Sequence, residues 1–226
     1  MRIEIKNNGP YFVSGTVPIS EAVITPVEHH YEYVPGDEVI PGNAEKYYLC
    51  RCGKSGNAPF CDGSHAGSGF DGTETAENLP FTERVTDVTE GSTMALLDDS
   101  RCAFARFCHR DEGDVWTLTT ADEDEHLRSE AIIAANECPA GRLAMLSLED
   151  KGEFIEDQLD QEVVILQDPE KGVSAGIAVR GSIEITSAAG ELYVPQNRVT
   201  LCRCGESSNK PFCDASHVGA GYVDGR

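Results

Sequence analysis

Basic side chains are scarce in this sequence: 18 Lys and Arg stand against 39 Asp and Glu over 226 residues, a formal net charge of −21 at pH 7. A phosphate backbone must be neutralised by clustered Lys and Arg, so nucleic acid is excluded as an expected partner. A basic protein surface matches the charge better. Long apolar runs are missing too. The longest, residues 131–135 and 163–166, fall far short of the roughly 18 residues a membrane span needs, and the opening MRIEIKNNGPY lacks the continuous apolar stretch of a secretory signal. The expectation is a cytoplasmic protein with no membrane attachment, in which thiols stay reduced. No nucleophile elbow, phosphate loop or dinucleotide fingerprint is present, and GSGF and GAGY lack the strand–turn–helix setting of a nucleotide-binding motif. The protein is therefore not expected to be an enzyme.

What the sequence does have is cysteine. Its nine cysteines, Cys50, Cys52, Cys61, Cys102, Cys108, Cys138, Cys202, Cys204 and Cys213, are an odd number, which argues against a disulfide framework in a reducing compartment. They fall into three groups of three, as metal sites would produce.

Two of those groups lie in an internal repeat. Residues 49–70, LCRCGKSGNAPFCDGSHAGSGF, align with residues 201–222, LCRCGESSNKPFCDASHVGAGY, with 15 of the 22 positions identical. Upstream, GPYFVSGTVPI echoes GIAVRGSIEI, each an alternating strand broken at Gly15 or Gly181 and then resumed. Each repeat spaces its ligand-type residues C-x-C-x8-C-x3-H, ending at His65 and His217. Cys50 and Cys52 can point around one tight loop, with Gly53 letting the chain turn away. The run from Cys61 to His65 reads as a helix start capped by Asp62, with Cys61 and His65 four apart on one face. Buried thiols and a core histidine are the plain alternative, but two copies at identical spacing speak against it. Three Cys and one His also make a normal tetrahedral zinc set, so ligand identity alone leaves zinc and iron-sulfur open.

The string C-x-C-x2-S-x3-P-x-C-D-G-S-H, with Ser55, Pro59, Asp62 and Gly63 in the first copy and Ala215 replacing the glycine in the second, resembles the signature of the CDGSH iron-sulfur proteins, the NEET family. The resemblance covers about half of the chain. It implies a [2Fe-2S] cluster in each repeat, two in all, with Cys50 and Cys52 on the inner iron and Cys61 and His65 on the outer. Cys202 and Cys204, then Cys213 and His217, take the same places in the second copy. Relatives with one motif look like strand-swapped homodimers, so two motifs in one chain imply an internal pseudo-dimer, a monomer with approximate two-fold symmetry. One imidazole in place of a thiolate removes a negative charge, which raises the potential and makes the outer ligand sensitive to acid.

Between the repeats, residues 81–148 have a different character. A helix is expected over Leu127, Ala131, Ile132, Ala134 and Ala135, ending before Pro139. Cys102, Cys108 and Cys138, the last followed by Pro139, resemble single-cluster ferredoxin-like domains, with Ala105 where a middle cysteine would stand. The resemblance implies a [3Fe-4S] cluster, or a [4Fe-4S] cluster with one non-cysteine ligand. The alternative is a scaffold whose thiols bind nothing.

The expected fold class is α+β: a first CDGSH module over residues 1–75, an inserted ferredoxin-like domain over 80–150 and a second CDGSH module over 160–226. DGTETAENLP (71–80) and EDKGEFIEDQLD (149–160) are the connecting arms. His29 and His30 are expected on a solvated turn or strand, His109 at the surface, Trp116 in the core of the insert, and ADEDEHL (121–127) as a solvated helix start. The expected function is electron transfer with a redox protein as partner. The alternatives are a cluster donor to an apo iron-sulfur protein, a redox or pH sensor, and a structural zinc interaction module.

Overall fold

The computed structural model describes residues 1–43, 45–149 and 152–225. Positions 150 and 151, in the second connecting arm, lie outside the described residues. The architecture is mixed α+β, with several small sheets and little helix.

Two-residue periodicity builds the centre of the molecule. In β1 (Arg2–Ile5) and β2 (Tyr11–Ser14), Ile3, Ile5, Tyr11 and Val13 are buried while the residues between them face outward. After Gly15, which sits at φ 97°, the chain resumes as β3 (Ile19–Val27), hairpins into β4 (His30–Pro35) and returns as β5 (Lys46–Leu49). The second copy follows the same course. Here β11 (Glu162–Asp168) and β12 (Val173–Arg180) precede Gly181, at φ 73°, and β13 (Glu184–Thr186) and β14 (Arg198–Leu201) follow it.

The two copies exchange strands. β13 of the second copy pairs in parallel with β1 of the first, Ile3 opposite Ile185. β3 of the first pairs in parallel with β11 of the second, Val163 opposite Ile19. The sheets therefore run β13-β1-β2-β5 and β14-β12-β11-β3-β4. Apart from the extra hairpin strand β4, each order is the other with the copies interchanged. Ile3, Ile5, Tyr11, Val13 and Leu49 from one sheet and Val163, Ile165, Ile177, Val179 and Leu201 from the other form one core between them.

The outer faces of the two sheets differ. On the first sheet Arg2 and Tyr48 are exposed, and Glu4 and Phe12 half-buried. On the second, the corresponding Val164, Ala178 and Thr200 are all buried, and Val164 and Ala178 pack with Ala105 and Phe107 of the insert. A sheet covered on both sides needs apolar residues on both, which is why β11 reads VVIL without alternation.

The insert begins with the short helix α1 (Phe81–Arg84) and a sheet of β6 (Asp87–Glu90), β7 (Met94–Asp98) and β10 (Leu143–Ser147). A small ribbon, β8 (His109–Arg110) and β9 (Gly113–Asp114), leads into α2 (Val115–Thr120) and α3 (Glu125–Asn136). Ala131, Ala134 and Ala135 of α3 pack on Met94, Leu96, Leu143 and Met145. Trp116 lies at the edge of this core with Nε1 toward Asp98, 3.3 Å away. Within the acidic run, Asp124 caps α3 as the helix start requires. Asp122 departs from the expectation of a solvated segment: it is buried and accepts from the backbone N–H groups of Ser92, Thr93 and Met94.

The first connecting arm is strapped to the second copy. Thr75 and Ala76 donate to the Lys210 carbonyl, Glu74 accepts from Tyr193, and Asn78 accepts from Val194. Arg198, from β14, donates to the carbonyls of Ala135, Asn136 and Cys138 at 2.7–2.8 Å. These are carbonyls at the end of α3, which have no partner within the helix, and the cation also suits the negative end of the helix dipole.

Candidate metal centres

The ligand-type residues of each repeat gather in two pairs at the foot of β5 or β14. Cys50 and Cys52 bring their sulfurs to 3.8 Å, and Cys202 and Cys204 to 3.5 Å. Those spacings are close to the roughly 3.8 Å edge expected for two sulfurs tetrahedrally placed about 2.3 Å from one metal. Cys61 Sγ lies 3.4 Å from His65 Nδ1, and Cys213 Sγ 3.5 Å from His217 Nδ1. In both copies it is thus Nδ1 that faces the cysteine. Among the described residues, no three His, Cys, Asp or Glu side chains are gathered tightly enough to hold a single metal ion.

The backbone repeats as closely as the sequence. Cys50 N–H donates to Pro59 and Cys61 N–H to Tyr48, while Cys202 N–H donates to Pro211 and Cys213 N–H to Thr200. The Asp of the motif ties the loop together. Asp62 accepts from the N–H groups of Gly56 and Ser64, and Asp214 from those of Ser208 and Ser216. Hydrogen bonds led by Ser64 hold the Asp62 carboxyl well below the usual range. Burial works to raise that of Asp214, but bonds from Ser216 and Ser208 outweigh it and hold the group at about 2.

The helical face expected for Cys61 and His65 is not what joins them. Cys61 precedes the helical turn, which in the first copy is a single 3₁₀ turn, Ser64–Ala66, and in the second the short α4 (Ser216–Gly219). The pair is brought together by a left-handed residue between its members, Gly63 at φ 92° and Ala215 at φ 70°. The position thus needs a positive φ, which glycine adopts freely and alanine does not.

Several residues without a metal-ligand signature build the sites. Arg51 and Arg203, fully buried beside the cysteines, anchor the loops: Arg51 donates to Gly72 O, and Arg203 to Ala175 O and Leu166 O and to the Asp224 carboxylate. Tyr11 of the first copy donates to the Cys202 carbonyl at 2.7 Å, crossing between copies. The identical placing of Arg51 and Arg203 in the repeat was the available signal; nothing marked Tyr11.

Burial sets the thiols. Desolvation pushes Cys52 up to about 11, and it raises Cys61 and Cys213 as well. Within the tight buried pair of the second copy, the hydrogen bond between the two sulfurs lowers Cys202 and raises Cys204. The two outer positions also differ in exposure. Cys61 and His65 are half-buried, whereas Cys213 and His217 are 3 % and 2 % exposed. The Nε2 of His217 is buried with no hydrogen-bond partner.

In the insert, Cys108 lies within the fields of Cys138 and Cys102, and desolvation, with those two thiols adding to it, pushes it up to about 11. Cys138 also packs with Ala103 and Ala140 against Cys213 of the second copy. His29 lies in the turn before β4, and His30, at the start of that strand, is bonded to Asp111; His109 is exposed.

Paired thiols and imidazoles on a strand-exchanged β scaffold define the class: a metal-binding protein of the Cys/His kind, with two like sites. The family model described as the iron-binding zinc finger of CDGSH type matches residues 8–66 and 176–218. The match falls on both copies of the repeat, so the chain carries two domains similar to the CDGSH iron-binding type. No curated protein and no solved structure matches the chain.

Proposed function

We propose that each copy binds one [2Fe-2S] cluster, with Cys50, Cys52, Cys61 and His65 holding the first and Cys202, Cys204, Cys213 and His217 the second, and that the protein carries electrons. The observation that carries this reading is the two-and-two grouping of donors, repeated in both copies. A binuclear centre takes two donors on each metal; one zinc ion would draw all four together, so the structural zinc module is the weaker alternative. Bound there, such a cluster supplies one-electron redox chemistry.

The chain's own residues tune that chemistry. The inward Nδ1 of each histidine replaces a thiolate with a neutral donor, which favours the reduced, more negative state. Buried Arg51 adds positive charge beside the first cysteine loop in the same sense, whereas the charge of Arg203 is matched by Asp224. The exchanged strands β3 and β13 support an internal pseudo-dimer, so that a monomer offers both sites. No helix among the described residues is long and apolar enough to cross a membrane, and we take the protein to work in the cytoplasm, as a carrier and not as an enzyme.

We further take the insert to be ferredoxin-like, with Cys102, Cys108 and Cys138 holding a [3Fe-4S] or [4Fe-4S] cluster. The nearness of Cys108 to Cys102 and to Cys138 supports this, and the packing of Cys138 against Cys213 supports a relay between the two centres. Donation of a cluster to an apo iron-sulfur protein, or redox sensing, is the second reading; it is favoured by the half-buried Cys61 and His65. Redox titration followed in the visible spectrum tests the electron-carrier reading. Reversible reduction without loss of colour, at a potential that falls in His65→Cys and His217→Cys, is expected; colour lost irreversibly on reduction contradicts it.

A further inference from the structure

We propose that the two CDGSH sites have divided labour: the first, at Cys61 and His65, is the only one from which a cluster can leave to an acceptor protein, and the second is sealed by the insert. This rests on the reading that both copies hold clusters. The repeats are alike through their loops, so the difference comes from what covers them. At the first copy the surrounding sheet face is open, with Tyr48 46 % exposed beside Cys61. At the second, Thr200 takes the place of Tyr48 and is 2 % exposed. Ala103, Ala140 and Cys138 of the insert lie directly on Cys213, and the charges acting on His217 are those of Asp168, Arg203, Asp214 and Arg106.

Arg198 holds the Cys138 end of the cover, and Arg106 fastens the loop that carries Cys102 and Ala103. Arg106 forms a two-pronged ion pair with Asp168 of β11, at 2.7 and 2.9 Å, and reaches Glu170 at 3.2 Å. It also binds back to the carbonyl of Phe104 at 2.7 Å. Phe104 and Arg106 both hold positive φ, 59° and 67°, a conformation that side chains other than glycine keep only when their surroundings impose it. Asp168 has no solvent exposure, so the pair is a buried, geometrically matched clamp. It holds the loop that carries Cys102 and Ala103 down over the second site. The insert's contacts with the first copy, such as His30 with Asp111, fall on its β4 hairpin, and among the described residues no ion pair ties the insert to the loop from Cys50 to His65.

The exchange is a ligand substitution without electron transfer. Thiolates of the acceptor form bonds to iron as Cys50, Cys52, Cys61 and His65 release theirs. The three freed cysteine sulfurs take up three of the four protons that the acceptor thiols lost, the fourth passes to solvent as the neutral His65 imidazole leaves, and the cluster keeps its oxidation state. An acceptor must reach the outer iron to begin, and only the first site offers that approach.

The test incubates the loaded, full-length protein with a plant-type apo-ferredoxin, following transfer by visible circular dichroism after counting iron and sulfide. The proposal expects wild type to give up about half of its [2Fe-2S] content and to retain the rest. His65→Cys should abolish that phase, and Arg106→Ala should release the retained half. Complete transfer from wild type in one phase overturns the proposal, as does an Arg106→Ala protein that still keeps its second half. Since wild type and Arg106→Ala decide the matter by themselves, a His65→Cys protein that fails to load does not stall the test. Wild type that contains no sulfide overturns the cluster reading itself, and this proposal with it.

Discussion

Gly53 lies against the carbonyl of Cys204, so closely that a Cβ there would come within 2.3 Å of that oxygen. The relation is reciprocal: a Cβ on Gly205 would stand 2.6 Å from the carbonyl of Cys52. Both glycines also have positive φ, 72° and 86°. The glycine after each C-x-C therefore does more than turn the chain away from its own site, since it lets the two cysteine loops touch back to back. Gly53→Ala and Gly205→Ala should each cost about 2 kcal/mol or more, combining left-handed strain with a backbone clash. In a chain of this size that lowers Tm by roughly 4–8 °C, measurable by thermal denaturation of the loaded protein.

Ala215 offers the opposite change. It holds φ 70° where the first copy has Gly63, and space around Gly63 is open, so strain alone separates the two residues. Ala215→Gly should stabilise the protein by about 1 kcal/mol, and Gly63→Ala should destabilise it by about as much. Urea unfolding of the two variants checks both signs. Movement of both in the same direction would show that φ is not the controlling feature.

Arg198 joins the insert to the second copy. It is 5 % exposed, pairs with Glu156 at 2.6 Å and serves carbonyls at the end of α3. Arg198→Ala removes the side-chain donor from all three carbonyls, although Ala135 and Cys138 keep backbone donors, and leaves Glu156 without its partner; it should cost about 1–3 kcal/mol. Hydrogen exchange should show the loss of protection in α3 and β10 before the strand-exchanged core is affected. Uniform loss across the chain would contradict so local a role.

A pH dependence is expected at the other junction between the insert and the CDGSH core. His30 Nδ1 meets Asp111 at 3.0 Å and its Nε2 meets Glu32 at 3.3 Å. The Asp111 bond, with help from Glu32 and against Arg110, raises the histidine above its ordinary value. The bond from His30 likewise lowers the Asp111 carboxyl. A histidine raised in the folded state contributes stability that is present below its unfolded pKa near 6.5 and is lost as pH rises through the folded value. A depressed carboxyl contributes above its unfolded pKa near 3.9 and is lost on acidification. The pair should thus be strongest between those limits and weaken from pH 6 to 8, by an amount absent in His30→Gln. Denaturant midpoints of the two proteins across that range decide it.

The cysteine-histidine sets, the strand breaks at Gly15 and Gly181 and the amphipathic α3 were legible in the sequence because each is a local pattern of spacing or period. The pairing of β3 with β11 and of β13 with β1 was foreshadowed only by the resemblance, since residues that meet across a sheet leave no mark on local periodicity. Arg198, Asp122 and Arg106 act at a distance: each holds backbone or carboxylate groups far along the chain, and in the sequence each is one more charged residue. Gly63 against Ala215 hinted in the sequence that the sites differ, but not how. The ligand spacing is the same in both repeats, and the difference in cover lies largely in Ala103, Ala140 and Cys138, which belong to neither.

The most direct test of the central claim is the content of iron and acid-labile sulfide in anaerobically purified protein, with EPR spectra before and after dithionite. The account predicts about four irons with matching sulfide from the two CDGSH copies, silent when oxidised and giving a rhombic signal on reduction, and about three or four more from the insert, whose cluster gives a signal near g = 2 when oxidised if it is [3Fe-4S]. Stoichiometric zinc without sulfide would contradict it.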